Sequence, residues 1–419
     1  MGTALGVLFH QVSIALDEPM VADVDARTDE VLRDCGVLLQ RDTEVAIALG
    51  SRGIVDLQRI VRRVIAWVRE QGAEPFVVSA MGSHGGATAD GQRAVLASYG
   101  LDEEGLGCAV RTSMEVVRLP TEVAGEPVVF DAEAAKASAT IVVNRVKPHT
   151  DFHGTFESGL MKMVAIGLGN RVQAERIHAH GAAGLRTLVP PIGEQVLAHA
   201  NVVLGVAIVE NALEQVMAIE AVPAAEISRT EPALLALARE HMPRLPVDDL
   251  DVLLVDQMGK DISGVGMDTN VIGRTMIRGE ADPDTPRIKM IGCHRLTAAS
   301  HGNACGMGLA DVVPRGLVAA IDEEATRTNI VTSGFLLRGK LPLVADDDRH
   351  VWELCLRGAG VIDVGEVRAV RILDTLHCAD LWVSEAVCRE LRDRGDVTVQ
   401  ASGLALHGED GALRPFRSS

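Results

Sequence analysis

The sequence predicts an α/β protein: two α/β domains with mostly parallel sheets, and an active site in the cleft between them. Two observations carry this prediction. Short runs of apolar, often β-branched residues alternate with segments whose apolar residues recur at helical spacing, as in parallel sheets covered by helices. In addition, polar residues directly follow several of these runs, and ligands of such sheets bind at the carboxyl ends of the strands.

The first half of the chain shows the alternation most clearly. Strands are predicted over Glu44–Leu49, Phe76–Ala80, Ala139–Asn144 and Val202–Val209. Helices are predicted over Val55–Gln71, about Thr88–Ser98 and about Pro191–His199. The first helix has the strongest pattern, because its apolar residues fall on one face with arginines between them.

A proline-containing break at 242–249 separates the two halves, and the pattern restarts with a strand over Leu250–Val255. We therefore expect an N-terminal domain over residues 1–248, a C-terminal domain over 249–400 and a tail over 401–419. Whether the tail packs back on the N-terminal domain stays open. Further strands are expected near Lys289–Ile291, Val367–Ile372 and Val397–Gln400, with helices near Leu317–Thr326 and Val351–Arg357.

Composition excludes several classes of function. The 419 residues are 47% hydrophobic and 23% charged, which is typical of a globular protein. A net charge of −18 argues against nucleic acids and anionic membranes as partners, because no basic stripe is available to neutralise phosphates. The seven cysteines form no C-x-x-C pair, and neither a signal peptide nor an apolar span is recognisable. A cytoplasmic location is the resulting prediction.

One lysine stands out. Lys162 is the single charged side chain within the apolar, glycine-flanked stretch Ser158–Gly169. Its ammonium can reach for water along the surface, or it can be a desolvated amine whose lowered pKa suits covalent chemistry. Four nearby imidazoles favour the second interpretation, and they belong to His149, His153, His178 and His180.

Three consecutive strand ends carry Arg52, His84 and His149. His84 lies in the glycine-rich loop Gly82–Gly86, and glycines allow a backbone to turn sharply and approach a ligand. The competing interpretation is a loop histidine that only caps the next helix. The glycine spacing does not match G-x-G-x-x-G, which disfavours a nicotinamide dehydrogenase.

Two further pairs of polar residues are candidates. His178 and His180 are two residues apart in a helical context, so at most one of them points into a site. Gln257 and Lys260 occupy a glycine-punctuated strand end that opens the C-terminal domain. There they could bind a substrate carboxylate, or they could belong to a surface turn.

In their order along the chain, these motifs resemble the nickel-pincer-nucleotide enzymes, the lactate racemase family. Ser158-Gly159-Leu160-Met161-Lys162 is similar to the family's S-G-G-x-K, with Leu160 in place of the second glycine. The resemblance implies a pyridinium-derived mononucleotide that carries nickel on two sulfurs and a ring carbon, joined covalently to Lys162. It also implies that Ser158 and Gly159 line this cofactor and that Arg52 lies near its phosphate.

The resemblance implies roles for the histidines as well. His178, 16 residues beyond Lys162, takes the position of the protein ligand to nickel. His84 and His149 take the positions of the two acid/base residues, with His153 an open alternative to His149.

Gln257 and Lys260 match a Q-x-x-K motif that binds the substrate carboxylate and hydroxyl. The implied function is racemisation or epimerisation of a small 2-hydroxy acid, by hydride transfer from its α-carbon to the cofactor, with cofactor-synthesis enzymes as partners. Two alternatives stay open. One is a metal-dependent hydrolase or lyase that uses His84, His149 and His178 as zinc ligands. The other is a non-catalytic cofactor-binding protein. The sequence names neither the 2-hydroxy acid nor the oligomeric state.

Overall fold

The computed structural model describes residues 6–51 and 53–416, and the chain divides into two compact units. We call residues 18–242 the N-terminal unit, and residues 6–17 together with 243–416 the C-terminal unit. Each unit contains its own large and mostly parallel sheet with helices, which confirms the predicted α/β class.

The chain begins with strand β1 (Leu8–Ile14), which belongs to the C-terminal unit. The N-terminal unit follows. Its elements are α1 (Val24–Asp34), β2 (Glu44–Leu49), α2 (Leu57–Glu70), β3 (Glu74–Ser79), α3 (Ala89–Ser98), α4 (Glu103–Leu106), β4 (Ala109–Arg111), β5 (Val116–Val123), β6 (Glu126–Asp131), β7 (Ala139–Arg145), α5 (Leu160–Lys162), α6 (Asn170–His178), α7 (Gly181–His199), β8 (Val202–Glu210), β9 (Val216–Pro223) and α8 (Ile227–Glu240).

The sheet of the N-terminal unit has the strand order β4-β3-β2-β7-β8-β9. All neighbours are parallel except β8 and β9, and β5 and β6 form a separate antiparallel pair. Helix α2 covers one face, with Ile60, Val61 and Val64 fully buried beside Ile47 and Leu49 of β2. Burial of each such side chain stabilises the fold by roughly 1.5–3 kcal/mol. The carboxyl ends of β2, β3 and β7 therefore lie side by side at one edge.

The C-terminal unit contains the remaining elements, which are β10 (Asp249–Met258), α9 (Thr269–Ile272), β11 (Arg287–Leu296), β12 (Val312–Pro314), α10 (Arg315–Ala319), α11 (Glu323–Ser333), β13 (Leu343–Ala345), α12 (Asp348–Gly358), β14 (Ala369–Ile372), β15 (Asp380–Ser384), α13 (Glu385–Leu391) and β16 (Val397–Ala405). Its sheet has the order β13-β12-β11-β10-β14-β15-β1-β16. The first five strands are parallel, and the last three pair antiparallel with their neighbours.

The division of the chain differs from the one expected from the sequence. Residues 8–14 fall within the expected N-terminal domain, yet they form β1, which lies between β15 and β16, with Phe9 opposite both Ser384 and Leu404. The final segment also packs on the C-terminal unit, where the Trp382 indole donates to the carbonyl oxygen of Phe416 at 2.8 Å. The pairings of β1 join residues almost 400 positions apart and leave no local signal in the sequence.

One expected helix is interrupted. The segment near Leu317–Thr326 forms the end of α10 and the start of α11. Asp322 separates them, because its side chain accepts a hydrogen bond from the Ala325 amide at 2.8 Å and so caps a new helix. Among residues 6–51 and 53–416, none of the helices combines the length and apolar character that crossing a lipid bilayer requires.

Candidate active site

Lys162 lies on a helical segment at the carboxyl edge of the N-terminal sheet. Helix α5 continues into a π-helical stretch, Met163–Gly167, in which the Leu168 amide donates to the Met163 carbonyl oxygen at 2.9 Å, five residues back. Such stretches are frequent at functional sites. The stretch packs closely on the strand ends: a Cβ on Gly167 would lie 2.5 Å from the carbonyl oxygen of Ala80, just after β3.

The two side chains that precede Lys162 pack against glycines of neighbouring elements. A Cβ on Gly205 of β8 would lie 2.5 Å from Leu160 Cδ1, and one on Gly193 of α7 would lie 2.1 Å from Met161 Sδ. Both Leu160 and Met161 are fully buried. The backbone that carries Lys162 is therefore held by close packing on two sides.

Lys162 and His149 are in direct contact. Lys162 Nζ lies 2.5 Å from His149 Nε2, and both residues are half-buried. The other ring nitrogen, Nδ1, accepts a hydrogen bond from the Asp151 amide at 3.0 Å. The tautomer of the ring decides which of Nε2 and Nζ donates in the short contact with Lys162.

The buried carboxylate of Glu157 holds the loop that carries His149 through hydrogen bonds to its backbone. Glu157 is fully buried, and it accepts from the His149 amide at 2.6 Å and from the Gly154 amide at 3.0 Å. His153 Nδ1 lies 3.2 Å from the same carboxylate, and the Arg239 guanidinium of α8 also contacts it. Burial raises the pKa of Glu157, but these hydrogen bonds and the arginine outweigh burial and hold that pKa below its usual value. Glu157 therefore fixes the loop as an anion.

His178 is the last residue of α6, as the helical context predicted, and it is half-buried. Burial lowers its pKa, the positive charge of Lys162 lowers it further, and Asp151 partly opposes this. The imidazole is therefore neutral at pH 7, which is the form that binds metals. His180 lies just beyond α6 and is exposed.

His84 lies in the loop after β3, and its ring is exposed. Its Nδ1 is within hydrogen-bonding contact of the Ser51 hydroxyl, which follows β2. The loop itself is tied to the Lys162 segment, since the Gly82 amide donates to the Gly167 carbonyl oxygen at 3.2 Å. The structure thus places His84 after β3 and His149 after β7, two neighbours of β2 in the sheet, with the segment that carries Lys162 packed on these strand ends.

The remaining candidates of the N-terminal unit are backbone neighbours of Lys162. Ser158 forms an antiparallel bridge with Lys147, and the two residues exchange amide-to-carbonyl hydrogen bonds of 2.9 and 3.2 Å. The carbonyl oxygen of Gly159 accepts from the Asn144 side chain at 3.0 Å. Arg52, expected near a cofactor phosphate, lies outside the described residues.

Gln257 and Lys260 lie in the C-terminal unit, at the carboxyl end of β10. The Gln257 amide donates to Asp374 at 3.1 Å. The Lys260 ammonium donates to the Gly264 carbonyl oxygen and, at 3.1 Å, to the side-chain oxygen of Asn329. Both residues are half-buried, which differs from the solvated turn considered as an alternative.

Several residues of the site were missed by reasoning from the sequence. Glu157 directly precedes the lysine motif, but the motif gives it no role. Asp151 and Ser51 carry no distinguishing pattern. Glu231 of α8, whose side chain accepts a hydrogen bond from the Met161 amide, is far from every motif in sequence. A glycine next to a helix start, such as Gly159, marks a place where a Cβ would clash with another element. The sequence does not show which element that is, so this signal cannot be used until the fold is known.

No family model matches the chain, and no curated protein sequence matches it. Solved structures do. The lactate racemase apoprotein from Thermoanaerobacterium thermosaccharolyticum matches with a TM-score of 0.55 and 11% identity, over 88% of this chain and 99% of that one. A Thermotoga maritima protein from structural genomics matches with a TM-score of 0.45 and 14% identity, over 65% and 69%. At such identities a likeness concerns the fold alone. The chain has an α/β fold similar to that of lactate racemase apoprotein.

Proposed function

We propose that the protein is a nickel-pincer-nucleotide-dependent racemase or epimerase of a small 2-hydroxy acid. The observation that carries the proposal is the 2.5 Å contact between Lys162 Nζ and His149 Nε2 at the carboxyl edge of the sheet. His178 also lies near this pair, since the charge of Lys162 contributes to lowering the His178 pKa. The fold similarity to lactate racemase apoprotein supports an isomerase.

The residues present suit a cofactor that brings most of its own metal ligands. Lys162 offers a nucleophilic amine for covalent attachment, and His178 offers one neutral imidazole for nickel, which accepts nitrogen and soft sulfur donors. Ser158 and Gly159 would line the group, with Arg52 at its phosphate. When bound, the group supplies a hydride acceptor for the α-carbon of the substrate.

Proton transfer falls to the chain's own histidines. With Lys162 joined to the cofactor, His149 Nε2 would be available to exchange a proton with the substrate hydroxyl. His84 would act from the neighbouring strand end, with Ser51 orienting its ring. Histidine suits both roles, because its pKa lies near neutrality. Lys260 and Gln257 would bind the substrate carboxylate and hydroxyl.

The described structure gives less support to the zinc alternative. Within residues 6–51 and 53–416, no group of three or more His, Cys, Asp and Glu side chains is arranged to hold a metal ion. His84, His149 and His178 accordingly do not form a three-ligand set there. A site with a single protein ligand agrees better with a cofactor that carries its own donors.

The test is to co-express the chain with cofactor-synthesis enzymes, which the proposal makes its partners in the cytoplasm. Intact mass and metal analysis should show an adduct on Lys162 with nickel, and chiral chromatography should show interconversion of the enantiomers of a 2-hydroxy acid. His178→Ala should lose nickel and keep the adduct, with His180→Ala as the matched control. Zinc without an adduct would favour the hydrolase, and an adduct without interconversion of any 2-hydroxy acid would favour a cofactor-binding protein.

A further inference from the structure

A second buried carboxylate lies beneath the Lys162 segment. Glu231 of α8 is only 1% exposed, and one of its oxygens accepts a hydrogen bond from the Met161 amide at 2.7 Å. The Leu160 amide also bonds this carboxylate. These are the first amides of helix α5, and Gly159 at its start has no side chain to cap them. Glu231 therefore caps, from another helix, the segment that carries Lys162.

Gly159 is the residue that makes room for this cap. A Cβ on Gly159 would lie 2.2 Å from Glu231 Oε1 and 2.6 Å from its carboxyl carbon. The backbone of Gly159 is extended, with φ of 175°, a conformation that any residue adopts. The requirement for glycine thus comes from the carboxylate alone.

The opposite side of the same peptide is held as well. The Asn144 side chain at the end of β7 donates to the Gly159 carbonyl oxygen at 3.0 Å. The helix start is therefore fixed between α8 and the central sheet. A shift of this start would move Lys162 Nζ relative to His149 Nε2, which lies only 2.5 Å away.

We propose that Glu231 is a positioning residue for Lys162, which holds the helix start so that the amine meets the imidazole of His149. The importance of this alignment rests on the proposed function, in which Lys162 carries the cofactor. The alignment itself belongs to the apoprotein, so it can be tested without cofactor.

The chain allows a clean measurement, because it has few lysines. They are Lys136, Lys147, Lys162, Lys260, Lys289 and Lys340. Apoprotein would be treated with trace trinitrobenzenesulfonate at pH 7, a reagent that modifies neutral amines, and the rate at each lysine read by peptide mass spectrometry. In Glu231→Ala, labelling of Lys162 should slow roughly tenfold relative to the other lysines, since the amine is no longer held in its hydrogen-bonded contact with His149 Nε2.

Two variants separate positioning from bulk stability. Glu231→Gln keeps an oxygen for the Met161 amide and should retain the Lys162 rate within about twofold. Glu226→Gln removes an exposed ion pair with Arg229 just before α8 and should change nothing. A wild-type Lys162 rate in Glu231→Ala, or an equal slowing of all lysines, would overturn the proposal.

Gly159→Ala supplies a second route if Glu231→Ala does not fold. The new Cβ should displace the carboxylate and slow Lys162 labelling as Glu231→Ala does. The double variant Gly159→Ala/Glu231→Ala should be no slower than either single variant, because both disturb one contact. Unchanged labelling in Gly159→Ala, or losses that add in the double variant, would contradict the contact. A positive result in apoprotein that never acquires an adduct would leave Glu231 established and reject the cofactor role of Lys162.

Discussion

Lys162 and Lys260 are both half-buried lysines beside the end of a parallel strand, one in each unit. Their side-chain nitrogen atoms, however, have different hydrogen-bonding partners. Lys260 donates to the Gly264 carbonyl oxygen and to the Asn329 side-chain oxygen, which are acceptors that favour an ammonium. Lys162 Nζ contacts His149 Nε2, and the other ring nitrogen, Nδ1, accepts a hydrogen bond from the Asp151 amide. The same residue type therefore has carbonyl and amide oxygens as partners in one unit and an imidazole nitrogen in the other.

The largest effect should come from Lys162→Ala, which removes the nucleophile. We expect complete loss of the cofactor adduct and of isomerase activity, with the fold retained because the half-buried lysine tip fills no core position. Intact mass of co-expressed protein measures the adduct, and circular dichroism checks the fold. Lys147→Ala is the control. A full adduct mass in Lys162→Ala would show that the cofactor is attached elsewhere, and the proposed difference in role between Lys162 and Lys260 would be wrong.

His149→Ala should be the next most severe change. It removes the imidazole that meets Lys162 and, in the proposed reaction, an acid/base residue, so turnover should fall roughly 10²–10⁴-fold with adduct and nickel present. His153→Ala is the matched control, since that ring is 46% exposed and contacts Glu157. If His153→Ala loses the activity and His149→Ala keeps it, the two histidines exchange roles.

Lys260→Ala should have a smaller effect that is confined to the substrate. The loss of one charged hydrogen bond to a carboxylate should lower kcat/KM roughly 10–100-fold, while adduct and nickel stay at the wild-type level. Lys260→Arg should rescue only partly, because a planar fork replaces a compact charge. Asn329→Ala, which keeps the lysine, serves as the comparison. Unchanged kinetics in Lys260→Ala would direct attention to Arg295.

The smallest effect on activity should come from Glu231→Gln, whose consequence is on stability and depends on pH. Burial raises the pKa of Glu231 from 4.5 to about 7, partly offset by the amides of Met161 and Leu160. A raised carboxyl pKa contributes stability that is present below pH 4.5 and is lost as pH rises through about 7.

Relative to wild type, Glu231→Gln should therefore gain up to about 3 kcal/mol in free energy of unfolding between pH 4.5 and 8. Denaturant unfolding at a series of pH values measures this difference. Parallel stability curves for the two proteins would show that Glu231 titrates normally, like an exposed carboxylate.

The sequence predicted the central strands well, because fully buried parallel strands leave continuous apolar runs. Strand β2 was placed with correct ends, and β7 and β8 within one residue. The edge and antiparallel strands β1, β9 and β15 were missed, since their pairing is decided by partners distant in sequence. Likewise, the motifs predicted which residues follow strand ends, and the structure brings Lys162 and His149 together. They could not predict Glu231, because it contributes through α8 and reaches only backbone amides.

Leu160 shows how a local motif can be shared between distant parts of a chain. Its side chain occupies the space that Gly205 leaves open on β8, so the bulk absent at one position is present at the other. Leu160 and Gly205 are then a coupled pair: a larger residue at 205 would be compatible only with a smaller one at 160. A sequence pattern that requires small residues just before the lysine would therefore miss this chain. A pattern that limits the summed side-chain volume at positions 160 and 205 would include it.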